Sequence, residues 1–592
     1  MSAPPLRGAG RANGPALAAG VAARLLRPVR ADTAAVSCDI GWAGPIALPL
    51  GDERAVQAAC GIMHVHGRAS GRPSPLAVDY ATATAGVLAA QGVLAALVAR
   101  SRGTRVSEVR TSVGQAALLS LVQYLAADTT DDGPREPSGR GSATFTSADR
   151  VRFECETFEP LHWRRFWQLL GADPRAGAQG WRPFQQRFAT ATCPLPAALH
   201  LAAGRAPFSA VRSAAARARV SVVPVQGDPR PPDVPPFTVT AHHNSGSGSG
   251  SGCGLAPVPG PESGAGLREP GRAGAGGTSV RPLEGVRVVE STRRVQGPMA
   301  GHILHQLGAD VLRIEPPGGD PMRGIPPIAG RCSARFSALN AGKTTTEIDL
   351  GTRSGRRAVH ELAATADVFV HNWAPGKAAQ WQLDSGDLHA AHPGLVYAAA
   401  SGWGARPPVP PPLGTDYLVQ AHSGLGAALR PADEPPAPSL MTLTDLLGGL
   451  VCAHGILAAL LTRARTGEGA RVDSSLLSAA AVLPRPPRRP RYTPLDRPAP
   501  TLDGYLQLGP AARTEPRRTA RAVGLGASAG PNEILDRLRT RPTRLWLLRL
   551  AETGLGATEV CTDLRDLALD PRFSRALATA DHALPRAPWE FA

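Results

Sequence analysis

Thr444-Asp445 stands immediately ahead of the apolar run LLGGLVCAHGILAALL in this 592-residue chain. A carboxylate in that place has two uses. It can cap the helix that the apolar run predicts, accepting hydrogen bonds from the free amides of the first turn. It can also attack an activated acyl carbon and hold the acyl group as a mixed anhydride. Residue type alone favours the cap. Gly448 and Gly449, one turn further on, suit a backbone that comes close to a substrate and offers amide donors to an oxyanion. His422 and His454 lie nearby in sequence as candidate bases, although a lone histidine on a helix is more often packed or solvated.

Other reactive groups are scattered. His64 and His66 have the two-residue spacing of one strand face, but a metal needs more partners than two. The eight cysteines, at 38, 60, 155, 193, 253, 332, 452 and 561, form no CxxC pair, so reduced thiols and no metal site are expected. Only two lysines occur, Lys343 and Lys377; all other basic side chains apart from histidine are arginine. A lysine in such a chain reads either as a chance survivor or as a compact ammonium placed beside phosphates.

These groups need elements to hold them. LEGVRVVE (283–290) has a strand pattern, QGPMAGHILHQLGA (296–309) has apolar residues at helical spacing, and DVLRIE (310–315) is a second strand. This is a β-α-β unit of an open parallel sheet. RRAVHELAATADVFVHNW (356–373) repeats it, and LVYAAASGWG (395–404) adds a strand ending in a Gly-containing turn. The fold class expected is α/β, a Rossmann-like open parallel sheet domain with a smaller α+β domain.

An internal repeat runs at a constant offset of 363 positions. Gln57 matches Gln420, Gly61 matches Gly424, Gly92 matches Gly455, Leu94 to Leu97 match Leu457 to Leu460, Val109 matches Val472, and Ser112 matches Ser475. A Gly/Ser/Pro-rich tract at 227–281, containing NSGSGSGSGCG (244–254), separates the copies and cannot bury enough apolar surface to fold. The expected domains are therefore 1–226, a partial and degenerate copy; 227–281, a flexible linker; 282–482, the sheet domain; and 483–592, a shortened connection and small domain.

Composition narrows the partners. The net charge of +16 is spread along the chain, with one tight run, PRPPRRPRY (484–492), so a solvated basic surface is expected rather than a nucleic-acid site. With no run of about 18 consecutive apolar residues and no ordered signal peptide, no membrane is expected and the location reads as cytoplasmic.

The second copy resembles the class III CoA-transferase family, the CaiB/BaiF group, over about 283–592. LEGVRVVESTRRVQGPMAGHILHQLGADVLRIEPPGGDPMR resembles the family opening, SALNAGKTTTEIDL its lysine turn, and VFVHNWAPG its CoA-contacting loop. GTDYLVQAHSGL with TLTDLLGGLVCAHGILAALLTRARTGEGARVDSSLL is similar to its nucleophile region. The resemblance implies that Asp445 is the nucleophile. It implies CoA contacts at Val295 and Gln296, at Asn340 and Lys343, and at Asn372 and Trp373. The substrates implied are an acyl-CoA and a carboxylic acid acceptor, with the CoA thioester as substrate and no permanently bound cofactor. Pro316-Pro317 and Gln380 stand where relatives often carry basic residues, and 483–501 is short and proline-rich.

The same family contains racemases that use a histidine in a Gly-His-Asp triplet. Here the triplet is Gly414-Thr415-Asp416, and threonine cannot serve as that base. A CoA-transferase is expected ahead of an α-methylacyl-CoA racemase, an intramolecular CoA transfer, or a catalytically degenerate scaffold or regulatory partner. The first copy resembles the family's later portion, with its opening sheet units missing. Thr82 falls at the nucleophile position in the repeat register, and Asp79 lies three residues before it. Because family members form interlocked homodimers, the chain is expected to be either a homodimer or an internal pseudo-dimer.

Overall fold

A computed structural model describes residues 15–29, 33–130, 139–242 and 280–592. In chain order the first half contributes α1 (Ala16–Leu26), β1 (Ser37–Gly41), α2 (Glu53–Ala59), α3 (Tyr80–Ser101) and β2 (Glu108–Ser112). It continues with β3 (Phe145–Thr146), β4 (Arg152–Glu156), α4 (Pro174–Thr190), β5 (Ser221–Pro224) and β6 (Phe237–Ala241). The second half supplies β7 (Arg287–Ser291), α5 (Gln296–Gln306), β8 (Asp310–Glu315), β9 (Thr344–Glu347), β10 (Val368–His371) and β11 (Val396–Ser401). Then come α6 (Asp416–His422), α7 (Leu443–Thr466), β12 (Ala470–Ser475), β13 (Ala499–Pro500), β14 (Tyr505–Leu508), β15 (Ala557–Glu559) and β16 (Glu590–Phe591).

The large sheet has the order β9-β8-β7-β10-β11-β12-β6, parallel throughout except for β6. The first six strands have the doubly wound order expected of a Rossmann-like domain. Three antiparallel strands, β13-β14-β15, form the core of the small domain of the second half, and β3-β4-β5 do the same in the first.

Two long helices form the centre. α3 and α7 have 22 and 24 residues and are long and apolar enough to cross a membrane, although polar residues interrupt the apolar run in each. Yet 100% and 94% of their most apolar windows are buried inside the protein. They pack on one another, with Gln91 Nε2 donating to Leu450 O at 2.7 Å and Tyr80 Oη to Leu443 O at 3.0 Å. Helices apolar on every face need neighbours on every side. α1 covers α3, and α5 covers α7.

These crossings are close because glycine sits at each. A Cβ on Gly86 would lie 2.5 Å from Ala18 O, and one on Gly449 would lie 2.5 Å from Gln296 O. Further along, a Cβ on Gly92 would meet Val109 Cγ1 at 2.5 Å and Trp589 Cδ1 at 2.9 Å. One on Gly455 would meet Val472 Cγ1 at 2.6 Å and Phe237 Cδ2 at 3.3 Å. Both pairs of glycines are 363 apart, so the sequence repeat is a repeat of packing.

The glycine pairs also match α1 with α5. The opening sheet units expected to be missing from the first half are thus missing only in part: their helix has a counterpart in α1, and β1 keeps the place of β11 beside β2. Among the described residues it has no counterparts of β7 to β10.

The halves exchange their last strands. β6, which ends the first half, adds antiparallel to β12 in the large sheet, with Val239 opposite Val472. β16, at the end of the chain, adds antiparallel to β2, with Phe591 opposite Val109. Residues 237–241 are thus an edge strand rather than flexible linker, because their backbone completes the ladder of β12. Most of the expected linker, 243–279 with Cys253, lies outside the described residues. His64 and His66 also depart from expectation: they lie on a helix, Ile62–Gly67, and His66 Nδ1 meets Ser439 Oγ at 2.8 Å.

A chain terminus usually tolerates change. Trp589 instead anchors the exchange, donating from Nε1 to Leu88 O at 2.7 Å and packing on Gly92. Trp589→Ala should cost about 3–5 kcal/mol in urea unfolding, as expected for a buried aromatic. A loss below about 1 kcal/mol, the surface-residue range, would show that the exchange contributes little.

Candidate active site

Asp445 is the third residue of α7, and a second carboxylate beside it takes over the capping. Asp416 Oδ1, at the start of α6, accepts from Thr444 N at 2.6 Å, Thr444 Oγ1 at 2.5 Å and Asp445 N at 3.0 Å. Asp416 is 3% exposed, and burial pushes its carboxyl up to about 6 despite these donors. Gln420 holds the same corner, accepting from Ser439 N at 2.9 Å and donating to Ser439 O and Met441 O. The cap function weighed for Asp445 thus belongs to Asp416. The Asp445 carboxylate is half-buried and accepts no hydrogen bond among the described residues. Burial raises its proton affinity well above the usual carboxylate range, with Asp416 adding to the effect and Arg294 opposing it.

The first half carries the same corner with different chemistry. Glu53 takes the place of Asp416, its Oε1 accepting from Ala81 N at 3.0 Å and its Oε2 from Thr82 N at 2.8 Å. Gln57 accepts from Leu76 N and donates to Leu76 O and Val78 O. Each of these residues lies 363 positions before its counterpart. Thr82 occupies the position of Asp445, and its hydroxyl is spent on Glu53 Oε2 at 2.6 Å. Asp79 falls at the position of Thr442, before the helix, so the ungapped register holds. The space beside Glu53 is a cavity of about 410 Å³ lined by residues that include Arg54, Asp79, Arg485 and Tyr492.

Two further elements complete the surroundings of Asp445. From the first half, β4 ends at Glu156, which accepts from Arg187 Nη2 of α4 at 2.8 Å. The Arg187 guanidinium lies 3.8 Å from the Phe184 ring centroid and 4.6 Å from that of Tyr417, the neighbour of Asp416. From the second half, the loop between β7 and α5 brings Arg294, whose guanidinium lies 3.7 Å from the Phe158 ring centroid. Asp445 therefore lies within the influence of charged groups drawn from both halves, Glu156 from the first and Arg294 from the second. Asp416, Glu156, Arg187 and Arg294 did not stand out as site residues in the sequence. The signal for Asp416 was present in the Gly-Thr-Asp triplet, and that for the corner was the 363 offset.

Expected CoA contacts separate into two groups. Val295 caps α5, and Gln296 Nε2 donates to Ser401 O at 3.2 Å. Asn372 brackets the same loop, accepting from Arg293 N at 2.9 Å and donating to Arg293 O at 2.8 Å. Trp373 Nε1 donates to Ser291 Oγ at 3.1 Å, and its ring stacks on His371 at 4.4 Å. These four converge at the carboxyl ends of β7 and β10.

Asn340 and Lys343 do not behave as expected. The Lys343 side chain is 0% exposed, and its three hydrogens go to Glu290 Oε2, Pro298 O and Asn340 Oδ1 at 2.8, 2.8 and 3.0 Å. Asn340 Nδ2 donates to Phe336 O. No donor remains for a phosphate. The ammonium instead shares the buried Glu290 with Arg313, whose Nη1 lies 2.6 Å from Glu290 Oε1.

Gly448 and Gly449 are interior residues of α7, so their amides belong to the helix ladder and are not free for an oxyanion. Their small size serves the approach of α5. The two histidines are also committed elsewhere: His422 packs edge-on to Trp403, and His454 meets Leu25 O and the Phe237 ring. Thr415 Oγ1 is buried without a partner.

Comparison with known proteins gives a consistent pattern. A family model described as CoA-transferase family III matches residues 40–229 and 283–487. A succinyl-CoA:glutarate CoA-transferase of Mus musculus is 38% identical over 226 residues, covering 36% of this chain and 52% of that protein. A succinate–glutarate CoA-transferase of Agrobacterium fabrum is 34% identical over 272 residues, covering 42% of this chain and 68% of that one. The chain spans about half the length of most of the curated relatives it matches. A CaiB/BaiF family protein of known structure from Brucella suis aligns with a TM-score of 0.47 at 26% identity, over 52% of this chain and 92% of that one.

The buried role of Lys343 is testable. Lys343→Met leaves Glu290 and Arg313 in a disturbed buried network, and breaking such a network costs about 3–5 kcal/mol. Urea unfolding should register that loss while KM for acyl-CoA changes less than about threefold, half a kcal/mol or so. A large KM effect at unchanged stability would restore the phosphate role.

Proposed function

Because the chain belongs to CoA-transferase family III, we propose that it is an acyl-CoA:carboxylate CoA-transferase with Asp445 as its nucleophile. The observation that carries this reading is the division of labour at the start of α7. Asp416 takes the amides of the first turn, leaving the Asp445 carboxylate unbonded. Named relatives act on succinyl-CoA with glutarate and on acetyl-CoA with oxalate, which supports CoA exchange between acids here.

The chemistry follows from a carboxylate in that position. Asp445 attacks the thioester carbonyl, the C–S bond breaks, and CoA leaves as thiolate with the acyl group held as an anhydride. The thiolate then attacks the aspartyl carbonyl, releasing the donor acid and leaving an aspartyl-CoA thioester. An acceptor carboxylate attacks that thioester to form a new anhydride. Thiolate attack on the acceptor's own carbonyl frees acyl-CoA and regenerates Asp445. Water must be kept out at the anhydride stages, and the first half's β4 and α4 close the site on that side.

CoA itself is taken to lie over the carboxyl ends of β7 and β10, beside Val295, Gln296, Asn372 and Trp373, as ligands do in doubly wound sheets. The exchange of β6 and β16 supports one chain acting as its own pseudo-dimer. A cytoplasmic location belongs to this reading, supported by the burial of both long apolar helices. The racemase alternative has no comparable support, since Thr415 offers no base and both nearby histidines are engaged elsewhere.

Incubation with acyl-CoA followed by hydroxylamine should modify Asp445, detected by peptide mass spectrometry, and Asp445→Ala should lose transfer by at least about 1,000-fold. Only the ionised carboxylate attacks, and its proton affinity is raised, so activity should rise with pH with a midpoint above the ordinary carboxylate range of about 4. Transfer that survives in the alanine variant would remove Asp445 from the mechanism.

A further inference from the structure

Arg294 has no carboxylate partner among the described residues, unlike other arginines of the sheet domain and its surroundings. Arg187 is paired with Glu156, Arg313 with Glu290 and Asp320, and Arg323 with Glu315. Among the described residues, Arg294 makes no hydrogen bond or ion pair. Its guanidinium rests on Phe158, contributed by the other half of the chain, and burial there lowers its proton affinity although the residue as a whole is exposed. Cation–π support of this kind fixes a guanidinium without neutralising it.

The backbone is arranged to present it. Arg294 has φ +67°, in the left-handed region that costs a non-glycine residue about 1–2 kcal/mol. Asn372 holds the turn by bonding both the amide and the carbonyl of Arg293. Two residues on, Gln296 Nε2 lies 3.0 Å from where a Cβ on Gly448 would stand, one turn along α7 from Asp445. The charges of Arg294 and Asp445 influence one another, and Glu156 belongs to the same set. Strain kept at a site edge, with an unpaired cation at its tip, calls for a ligand of opposite charge.

We propose that Arg294, seated on Phe158, receives the second carboxylate of a dicarboxylic acid while the first carboxylate reacts at Asp445. Arginine suits this task because its planar fork pairs with a carboxylate through two parallel hydrogen bonds. The selectivity belongs to a joint between the halves: the cation comes from the β7–α5 loop and its seat from the segment following β4. The inference rests on the transferase reading of the same site.

The test compares glutarate with pentanoate, acids of equal chain length, as acceptors from acetyl-CoA, and measures binding of each acid by calorimetry. The native chain should favour glutarate, and in Arg294→Leu the ratio of kcat/KM for glutarate over pentanoate should fall at least about tenfold, mainly through KM, the scale of one charged pair. Arg294→Lys should recover part of that ratio. Glutarate binding should weaken in parallel.

An equal loss for both acids, accompanied by a shift of the pH profile to higher pH, would overturn the proposal and leave Arg294 as an electrostatic partner of Asp445 only. A native chain that exchanges CoA without preferring glutarate would overturn it as well. Absence of CoA exchange with either acid, together with glutarate binding that is lost in Arg294→Leu, would count against the transferase reading while retaining the carboxylate subsite. If neither exchange nor glutarate binding is found, both fall.

Discussion

The mutual burial of α3 and α7 is the constraint from which the rest of the architecture follows. Each helix is apolar around its whole circumference, so neither can lie on the surface of an ordinary domain. Each is wrapped by an opening helix, by a strand that follows it, and by the other long helix. Had only one copy been present, α7 would have needed a second chain to cover the face that α3 now covers. The first half supplies that cover within the same chain. It keeps α1, α3, β1 and β2, and lacks counterparts of β7 to β10 among the described residues. The strand exchange ties each half's sheet to the other's terminus, so the halves share one core.

That arrangement also sets the two corners side by side, alike in backbone and different in side chains. Both halves keep a buried carboxylate, Asp416 or Glu53, that accepts amides at the start of the long helix. Leaving two such amides unpaired in the interior would cost about 1–3 kcal/mol each, so the acid is retained for structural reasons in both. In the second half, Thr444 spends its hydroxyl on that acid and the next residue, Asp445, is left free. In the first half Thr82 stands one place later, at the position of Asp445, and spends its own hydroxyl on Glu53. A carboxylate at that place would have met a second buried carboxylate, as Asp445 does. In the second half, the charge of Arg294 offsets part of that repulsion.

Much of the fold was legible in the sequence because it depends on local pattern. The alternation at 283–315 gave the first β-α-β unit, and the 363 offset gave the repeat and located Thr82 at the nucleophile position. What escaped was set by contacts distant in sequence. Residues 237–241 look like linker until β12 offers them a ladder, and Trp589 looks like a loose end until Gly92 makes room for it. Lys343 drew attention as a rare lysine, but rarity cannot distinguish a phosphate ligand from a buried counterion of Glu290. Gly448 and Gly449 were legible as sites of close approach, but the group approaching is α5. Glu156, Arg187 and Phe158 could not be found near Asp445 without the fold, because they come from the other half of the chain.

The central claim is that Asp445 forms covalent bonds to both acids while Asp416 holds the helix start beneath it. Oxygen transfer tests this most directly. In one turnover with an acceptor acid labelled with heavy oxygen in its carboxylate, attack on the aspartyl thioester carries one acceptor oxygen into the anhydride, and collapse leaves that oxygen on the enzyme. The peptide containing Asp445 should then gain the mass of one heavy oxygen, located at that residue by fragmentation. CoA exchange that proceeds while Asp445 stays unlabelled would contradict the account.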